Sequence, residues 1–307
     1  MSRSKAMIIW AIDPFKTEKN LLTKSVIYLE KLARDLGAVV KPTYILSPYM
    51  FFLPMDYFIP PDELDFVQKA QAKLDEALKQ FKSAYFLPGI VLTDNSNSLR
   101  GSVDTFIANA KDEKATCIFA TTHARRGLPR FWLGSFVETL LMHSPVPVIS
   151  LNPNTKSATS ITSILFPTDL SIRSVKSLLK VLPMAKKLGS KLYVLHVFGN
   201  TQANWASVEL SGITYDYYDG MLDKMKSDSK TRLDKLVKRC QKSGVTCEGI
   251  FVITTKSITD EILRVAKTKK IKLVAMASIS GPVENMLTGG ITRQVVRYGD
   301  CATWVVH

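Results

Sequence analysis

The chain has 307 residues, 46% of them apolar and 22% charged, with 15 glycines and 14 prolines. That usage excludes a disordered chain, a collagen and a disulfide-dense mini-protein. At roughly 100–200 residues per domain the length predicts two domains, each able to bury its own core. The formal charge of +14 is uneven: residues 1–152 carry 18 basic and 15 acidic side chains, residues 153–307 carry 23 and 12.

Such a field attracts polyanions, but the basic residues are spread along helical patterns and no nucleic-acid-binding module is spelled out. Nucleic acid is therefore not expected as a dedicated partner. No stretch approaches the ~18 uninterrupted apolar residues of a membrane span. The apolar run over residues 6–12 stops at Asp13 with no small-residue cleavage site after it, so a cytoplasmic protein is expected. Cys117, Cys240, Cys247 and Cys301 include no C-x2-C pair, which argues for buried reduced thiols over a zinc site or a disulfide framework.

In chain order, the first half opens with a short apolar run over residues 7–12. A helix follows with Leu22, Val26, Leu29 and Leu32 on one face, and then a β-rich run over 39–46. Residues 49–61 are too apolar for a free loop; they either pack on their own domain, cover a pocket or meet a partner. A central helix over 62–81 places Leu64, Ala70, Leu74 and Leu78 at helical spacing. Short strands at 90–93, 115–120 and 146–151 alternate with helices around 103–110 and 135–142. The polar segment 152–160 reads as a linker.

Beyond it the pattern returns. Ile9-Trp10-Ala11-Ile12-Asp13 matches Leu165-Phe166-Pro167-Thr168-Asp169 at an offset of 156. Phe106-Ile107 matches Ile262-Leu263, the run from Cys117 to Ala120 matches that from Leu273 to Met276, and Gly134 matches Gly290 at the same offset. Two copies of one domain account for this, with boundaries at 1–152 and 161–307 around the linker 153–160. Five short strands alternating with helices in each copy predict tandem doubly wound, Rossmann-like α/β domains with five-stranded parallel sheets. In the second copy, Trp205, Tyr215, Tyr217 and Tyr218 make the segment that corresponds to 49–61 similarly aromatic.

In such sheets ligands sit beyond the carboxyl ends of the strands, where strand order reverses. That directs attention to Asp13, to Leu46 and to the loop after the fourth strand, residues 121–135. Ser135 opens an apolar helix with Glu138 three residues on, a capping box. A glycine beside a helix N-terminus makes an anion site, and Arg125, Arg126 and Arg130 add positive charge to the same loop. A capped helix behind a solvated basic loop fits the same residues.

The twofold repeat, the strand-ending aspartate, and a loop approaching G-x2-G-x9-G-[ST] before a final helix and a PVPV-type strand resemble the universal stress protein family in its tandem form. The resemblance covers essentially the whole chain. It implies ATP or another adenine nucleotide, with magnesium, as cofactor in one subclass, whereas a subclass lacking the glycines does not bind it. Carried over residue by residue, it assigns Asp13 to the adenosine side, Leu46 to the base, and Gly134 and Ser135 to the phosphates. Thr121 and Ala124 stand where the first two glycines belong; Ala124 is small, but Thr121 is β-branched and resists positive φ. Gly127 and the three arginines are this chain's own compensation.

In the second copy Asp169, Val197 and Gly290 keep parts of the pattern. Ala277, Ser280 and Ile291 depart from it, Gly281 lies one residue off, and Arg293 follows one turn into the last helix. The first domain is thus the better nucleotide candidate. The family also pairs domains through their last strands. Pairing of the runs 146–151 and 302–306 within one chain is expected on that ground, with a homodimer as a further possibility.

No P-loop, nucleophile elbow or metal-binding helix is present, so a non-enzymatic stress-response module is expected. Slow ATP hydrolysis is the one catalytic form left open. Of the histidines, only His123 lies on the candidate loop; His143, His196 and His307 have structural readings. The alternative of a different class is a protein-interaction module of the same fold that binds no nucleotide and works through residues 49–61.

Overall fold

The computed structural model describes residues 6–16, 18–47, 63–96, 98–122, 135–155, 160–199, 215–277 and 290–306. Two compact units emerge: one formed by the chain up to Ser160 together with the C-terminal strand, the other by Ile161–Ala277 and Gly289–Gly299.

The first unit runs β1 (Ala6–Ala11), α1 (Lys19–Leu36), β2 (Ala38–Leu46), α2 (Glu63–Leu78), β3 (Ile90–Thr93), α3 (Leu99–Asp112), β4 (Cys117–Thr121), α4 (Ser135–His143) and β5 (Val148–Leu151). These five strands lie parallel in the order β3-β2-β1-β4-β5. Ile8, Ile9 and Trp10 on β1 and Ile118, Phe119 and Ala120 on β4 are almost wholly buried. Strands covered on both faces read as continuous apolar runs for this reason. Leu22, Val26, Leu29 and Leu32 turn one face of α1 into the core, at roughly 1.5–3 kcal/mol for each fully buried aliphatic side chain. Gly37 then ends the helix in a left-handed conformation (φ 55°), its amide donating to Ala33 and Arg34 carbonyls.

The last strand of this copy begins at Val148, two residues later than the apolar run suggests. Pro145 and Pro147 lack the amide that a ladder needs, although the Pro147 carbonyl still accepts from Ile118 at 2.8 Å. The central helix ends at Leu78, with Ala70 and Leu74 buried and Phe81 beyond it. The start of the expected linker is folded: Asn152 accepts from the Asn154 amide at 2.9 Å, and Asn152 and Thr155 are buried.

The second unit runs β6 (Ser163–Pro167), α5 (Ile172–Lys187), β7 (Lys191–Gly199), α6 (Tyr215–Lys242), β8 (Cys247–Thr254), α7 (Ile258–Thr268), β9 (Leu273–Ala277) and α8 (Gly290–Tyr298). Its strands are parallel in the order β9-β6-β7-β8. The same doubly wound α/β plan thus appears in both copies. One feature differs from the expected five parallel strands per unit. The fifth strand of the second copy, β10 (Ala302–Val306), pairs antiparallel with β5 in the first unit, Thr303 opposite Ser150, Trp304 opposite Ile149 and Val305 opposite Val148. Both strands are buried and apolar, and the pairing satisfies an edge that would otherwise be a template for aggregation. No described helix is long and apolar enough to cross a membrane.

Candidate functional site

In the first unit the strand order reverses between β1 and β4. Their register places Ala11 beside Ala120, so Asp13 and Thr121 follow on either side of the switch point. The Ile12 amide donates to the Thr43 carbonyl at 3.1 Å, which carries the β1–β2 ladder one residue beyond the strand and delivers Asp13 to the rim. There the Asp13 carboxylate accepts from the Phe15 amide at 3.0 Å in an Asx turn and lies 3.7 Å from Lys16 Nζ. Tyr44 of β2 is buried nearby, with its ring 5.7 Å from that of Phe15. Burial, reinforced by the Asp13 charge, pushes its hydroxyl far above the usual tyrosine range, so Tyr44 remains a neutral donor.

Leu46 closes β2, buried, and its carbonyl accepts from the Asp94 amide at 3.0 Å. Thr121 closes β4 opposite Leu151 and is an ordinary strand residue, with no positive φ. The position that the motif gives to its first glycine therefore asks for no left-handed backbone here. Ala124, Arg125, Arg126, Gly127, Arg130, Gly134 and His123 lie outside the described residues, as does the segment 49–61. Ser135 is the first residue of α4, and Glu138 stands in that helix's first turn.

The second unit repeats the rim with different side chains. Asp169 is exposed and accepts from the Ser171 amide at 2.9 Å, again an Asx turn. Leu170 beside it is buried with φ 61°, a left-handed conformation costly for a non-glycine residue. Arg232 of α6 donates to the Leu170 carbonyl at 2.5 Å, and Thr168 Oγ1 accepts from the Leu170 amide at 3.0 Å. His196 Nδ1 lies 2.8 Å from the Thr168 carbonyl. A carbonyl only accepts, so Nδ1 carries the proton, and the ring is structurally engaged as expected.

The same fold, the same rim and an aspartate at the same place in two copies decide the matter together with one comparison. The model of the universal stress protein family matches residues 7–151 and again residues 160–307. The chain belongs to that family. No curated protein is significantly similar to it. Among solved structures, a universal stress protein from Archaeoglobus fulgidus DSM 4304 is similar over 99% of both chains at 16% identity and a TM-score of 0.68. A functionally unknown protein from Pseudomonas aeruginosa PAO1 is similar over 99% of this chain and 92% of its own, at 14% identity and a TM-score of 0.60. A universal stress protein in complex with cAMP matches 48% of this chain and 98% of its own at 16% identity and a TM-score of 0.36.

Within this universal stress protein the ladders align the second strands of the two copies. The Ile12 amide meets Thr43 in one unit and the Thr168 amide meets Leu195 in the other. Tyr44 therefore corresponds to His196, and Leu46 corresponds to Phe198. Val197 is the counterpart of Ile45 and points to the other face of its strand. Gly290 opens α8, exposed, with open space where a side chain would project. Ile291 and Arg293 are half-buried on that helix, and Ala277 ends β9; Ser280, Gly281 and Trp205 are outside the described residues. Tyr215, Tyr217 and Tyr218 open α6.

Sequence reading missed one cluster at this rim. Asp94, just after β3 and only 5% exposed, accepts from Ser47 Oγ at 3.1 Å, Ser96 Oγ at 2.8 Å, Ser102 Oγ at 2.7 Å and the Ser96 amide at 3.1 Å. Burial alone would raise its carboxyl, but the hydrogen bonds from Ser102, Ser96 and Ser47 hold it below the usual carboxylate range. The available signal was S-x-x-x-S after a strand-ending aspartate, which without the fold reads only as a helix cap.

Proposed function

We propose that this universal stress protein is a non-enzymatic, cytoplasmic stress-response module that binds ATP or another adenine nucleotide in its first unit. The observation that carries the reading is the placement of Asp13, Leu46 and Thr121 around the β1–β4 switch point, the position at which doubly wound sheets receive ligands.

The chemistry of these groups suits a nucleoside. A carboxylate offers roughly four acceptor positions, and the Asx turn that fixes the Asp13 carboxylate leaves it at the rim to accept from ribose hydroxyls. Leu46 and the neutral Tyr44 supply an apolar wall and a donor for the base. Gly134 and the N-terminus of α4 would meet the phosphates, where amides and the helix dipole favour negative charge. Glu138 in the first turn works against a highly charged phosphate chain, which favours AMP or a magnesium-neutralised triphosphate.

Calorimetric titration of the intact protein with ATP and AMP, with magnesium, tests this. Binding near one nucleotide per chain, lost in Gly134→Asp and weakened at least tenfold in Asp13→Ala, is expected. Absence of binding to the folded wild-type protein would overturn the proposal.

A further inference from the structure

The helices of the second unit return against its parallel strands. The C-terminal ends of α5, α6 and α7 therefore gather with the first residues of β7, β8 and β9 at the amino end of the sheet. In sequence the basic residues are spread along these elements; the fold collects them. Residues 186–191, 238–242 and 267–272, which form this end, hold ten basic side chains and no acidic one. Eight of the ten are exposed and two are half-buried. Lys186 Nζ of α5 lies against the turn that joins α6 to β8, 3.2 Å from where a side chain on Gly244 would begin. Glu248 of β8 pairs with Lys191 of β7 at 2.6 Å and with Lys269, just past α7, at 3.1 Å, and so offsets one charge of the cluster.

The first unit shows that the fold does not require this surplus. At the repeat offset of 156, Asp112, Glu113 and Thr116 stand where the second unit has Thr268, Lys269 and Lys272. Glu113 is there paired with Lys41 at 2.6 Å. One or two cations complement the negative end of a helix. Ten on one face repel each other, and that cost is offset only by an anionic partner.

We propose that the amino end of the second unit is a docking face for the phosphate backbone of double-stranded nucleic acid, bound without reading of sequence. This goes beyond nucleotide binding and stands whether or not either rim holds a ligand. Lysine ammonium groups act as point charges on phosphates, and each phosphate neutralised releases counterions. A lipid surface suits the face less well, because stable anchoring joins a basic patch to an apolar insert. The unit's exposed isoleucines and methionines, among them Ile172, Met225 and Ile253, lie toward the opposite end. A single strand suits it less well too, since such strands stack successive bases on aromatic rings. The Tyr193 ring is covered by the ammonium groups of Lys191 and Lys269, at 4.8 and 5.4 Å, which leaves the exposed Tyr298 as a lone ring among the described residues.

The test is fluorescence anisotropy of the full-length protein with a labelled 20-base-pair DNA duplex of arbitrary sequence, repeated at several salt concentrations. With about five phosphates engaged, the logarithm of affinity is expected to fall with that of salt at a slope near −4, about a hundredfold or more between 50 and 200 mM. The triple variant Lys187→Gln, Lys242→Gln, Lys267→Gln removes one exposed cation from each helix end and is expected to weaken binding at least tenfold and to flatten the slope by about 2–3. Lys79→Gln, Lys82→Gln, Lys111→Gln removes the same net charge from exposed positions of the first unit and is expected to change affinity less than twofold. Unchanged urea midpoints establish that both variants are folded. No duplex binding by the wild type at 50 mM salt would overturn the proposal, and so would equal losses in the two variants, which would mean that only net charge is felt. Tighter binding of the corresponding single strand, or binding to vesicles of 70% phosphatidylcholine and 30% phosphatidylserine in place of the duplex, would likewise overturn it.

Discussion

Asp94 shows how a single buried carboxylate organises the rim of the first unit. Three serines, Ser47 just after β2, Ser96 in the β3–α3 loop and Ser102 of α3, turn their hydroxyls onto it, so hydrogen-bond dipoles replace the water that burial removes. The second unit solves the same problem with the groups exchanged. There the strand end supplies a hydroxyl, Thr254, and the helix supplies the acid, Glu261, 3.2 Å apart. Glu261 stands four residues after the cap Ser257, as Ser102 does after the cap Ser98. Asp94→Ala leaves the buried Ser47 and Ser102 hydroxyls without this acceptor and is expected to cost about 1–3 kcal/mol in urea denaturation at neutral pH. The pH dependence follows from the direction of the shift. A carboxyl held below its unfolded value near 3.9 contributes stability that is complete above that pH and lost as pH falls through the folded value. The gap between wild type and Asp94→Ala is therefore expected to stay constant near neutrality and to shrink below about pH 4. A gap that persists unchanged to pH 2 would show that the charge is not what stabilises the cluster.

At the scale of elements, the two copies end their third helices alike. Lys114 and Lys270, separated by the repeat offset, both have φ 52°. The Lys114 amide donates to Lys111 and the next amide to Ala110; Lys270 donates to Lys267 and the next amide to Ala266. This is the Schellman arrangement, which Gly189 completes after α5 with a glycine. A lysine in the left-handed region costs roughly 1–2 kcal/mol, of which a glycine would return part and lose part to its looser unfolded chain. Lys114→Gly and Lys270→Gly, both at exposed positions, are each expected to raise the unfolding free energy by about 0.5–1 kcal/mol. A fall in stability would mean that the lysine side chains hold these ends in place. Elements of this kind were legible in the sequence because buried parallel strands leave apolar runs and amphipathic helices leave a period. Boundaries were less so: Pro145 and Pro147 look like part of an apolar strand until their missing amides are counted.

For the whole molecule, what the sequence carried best was the repeat, and what it carried least was how strand ladders align the copies. Asp13 and Asp169 were visible because an aspartate closing an apolar strand is conspicuous. The equivalence of Tyr44 and His196 was not, because it depends on inter-strand hydrogen bonds that no spacing reports. The expected pairing of the last strands rested on the same reasoning about edges that now gives a test. β10 brings Trp304, Val305 and Val306, all nearly inaccessible to solvent, against β5, whose Val148 and Ile149 are equally buried. Trp304→Ala removes the largest of these side chains and is expected to cost about 3–5 kcal/mol. A chain ending at Asp300 goes further, because it uncovers the β5 edge with its unpaired amides and carbonyls as well as the apolar side chains beside them. Such an edge recruits another strand. The truncated protein is expected to form concentration-dependent oligomers by size-exclusion chromatography with light scattering and to unfold at lower denaturant than the intact chain. A species that stays monodisperse with an unchanged midpoint would show that β10 is dispensable, and that β5 is protected by something other than its partner strand.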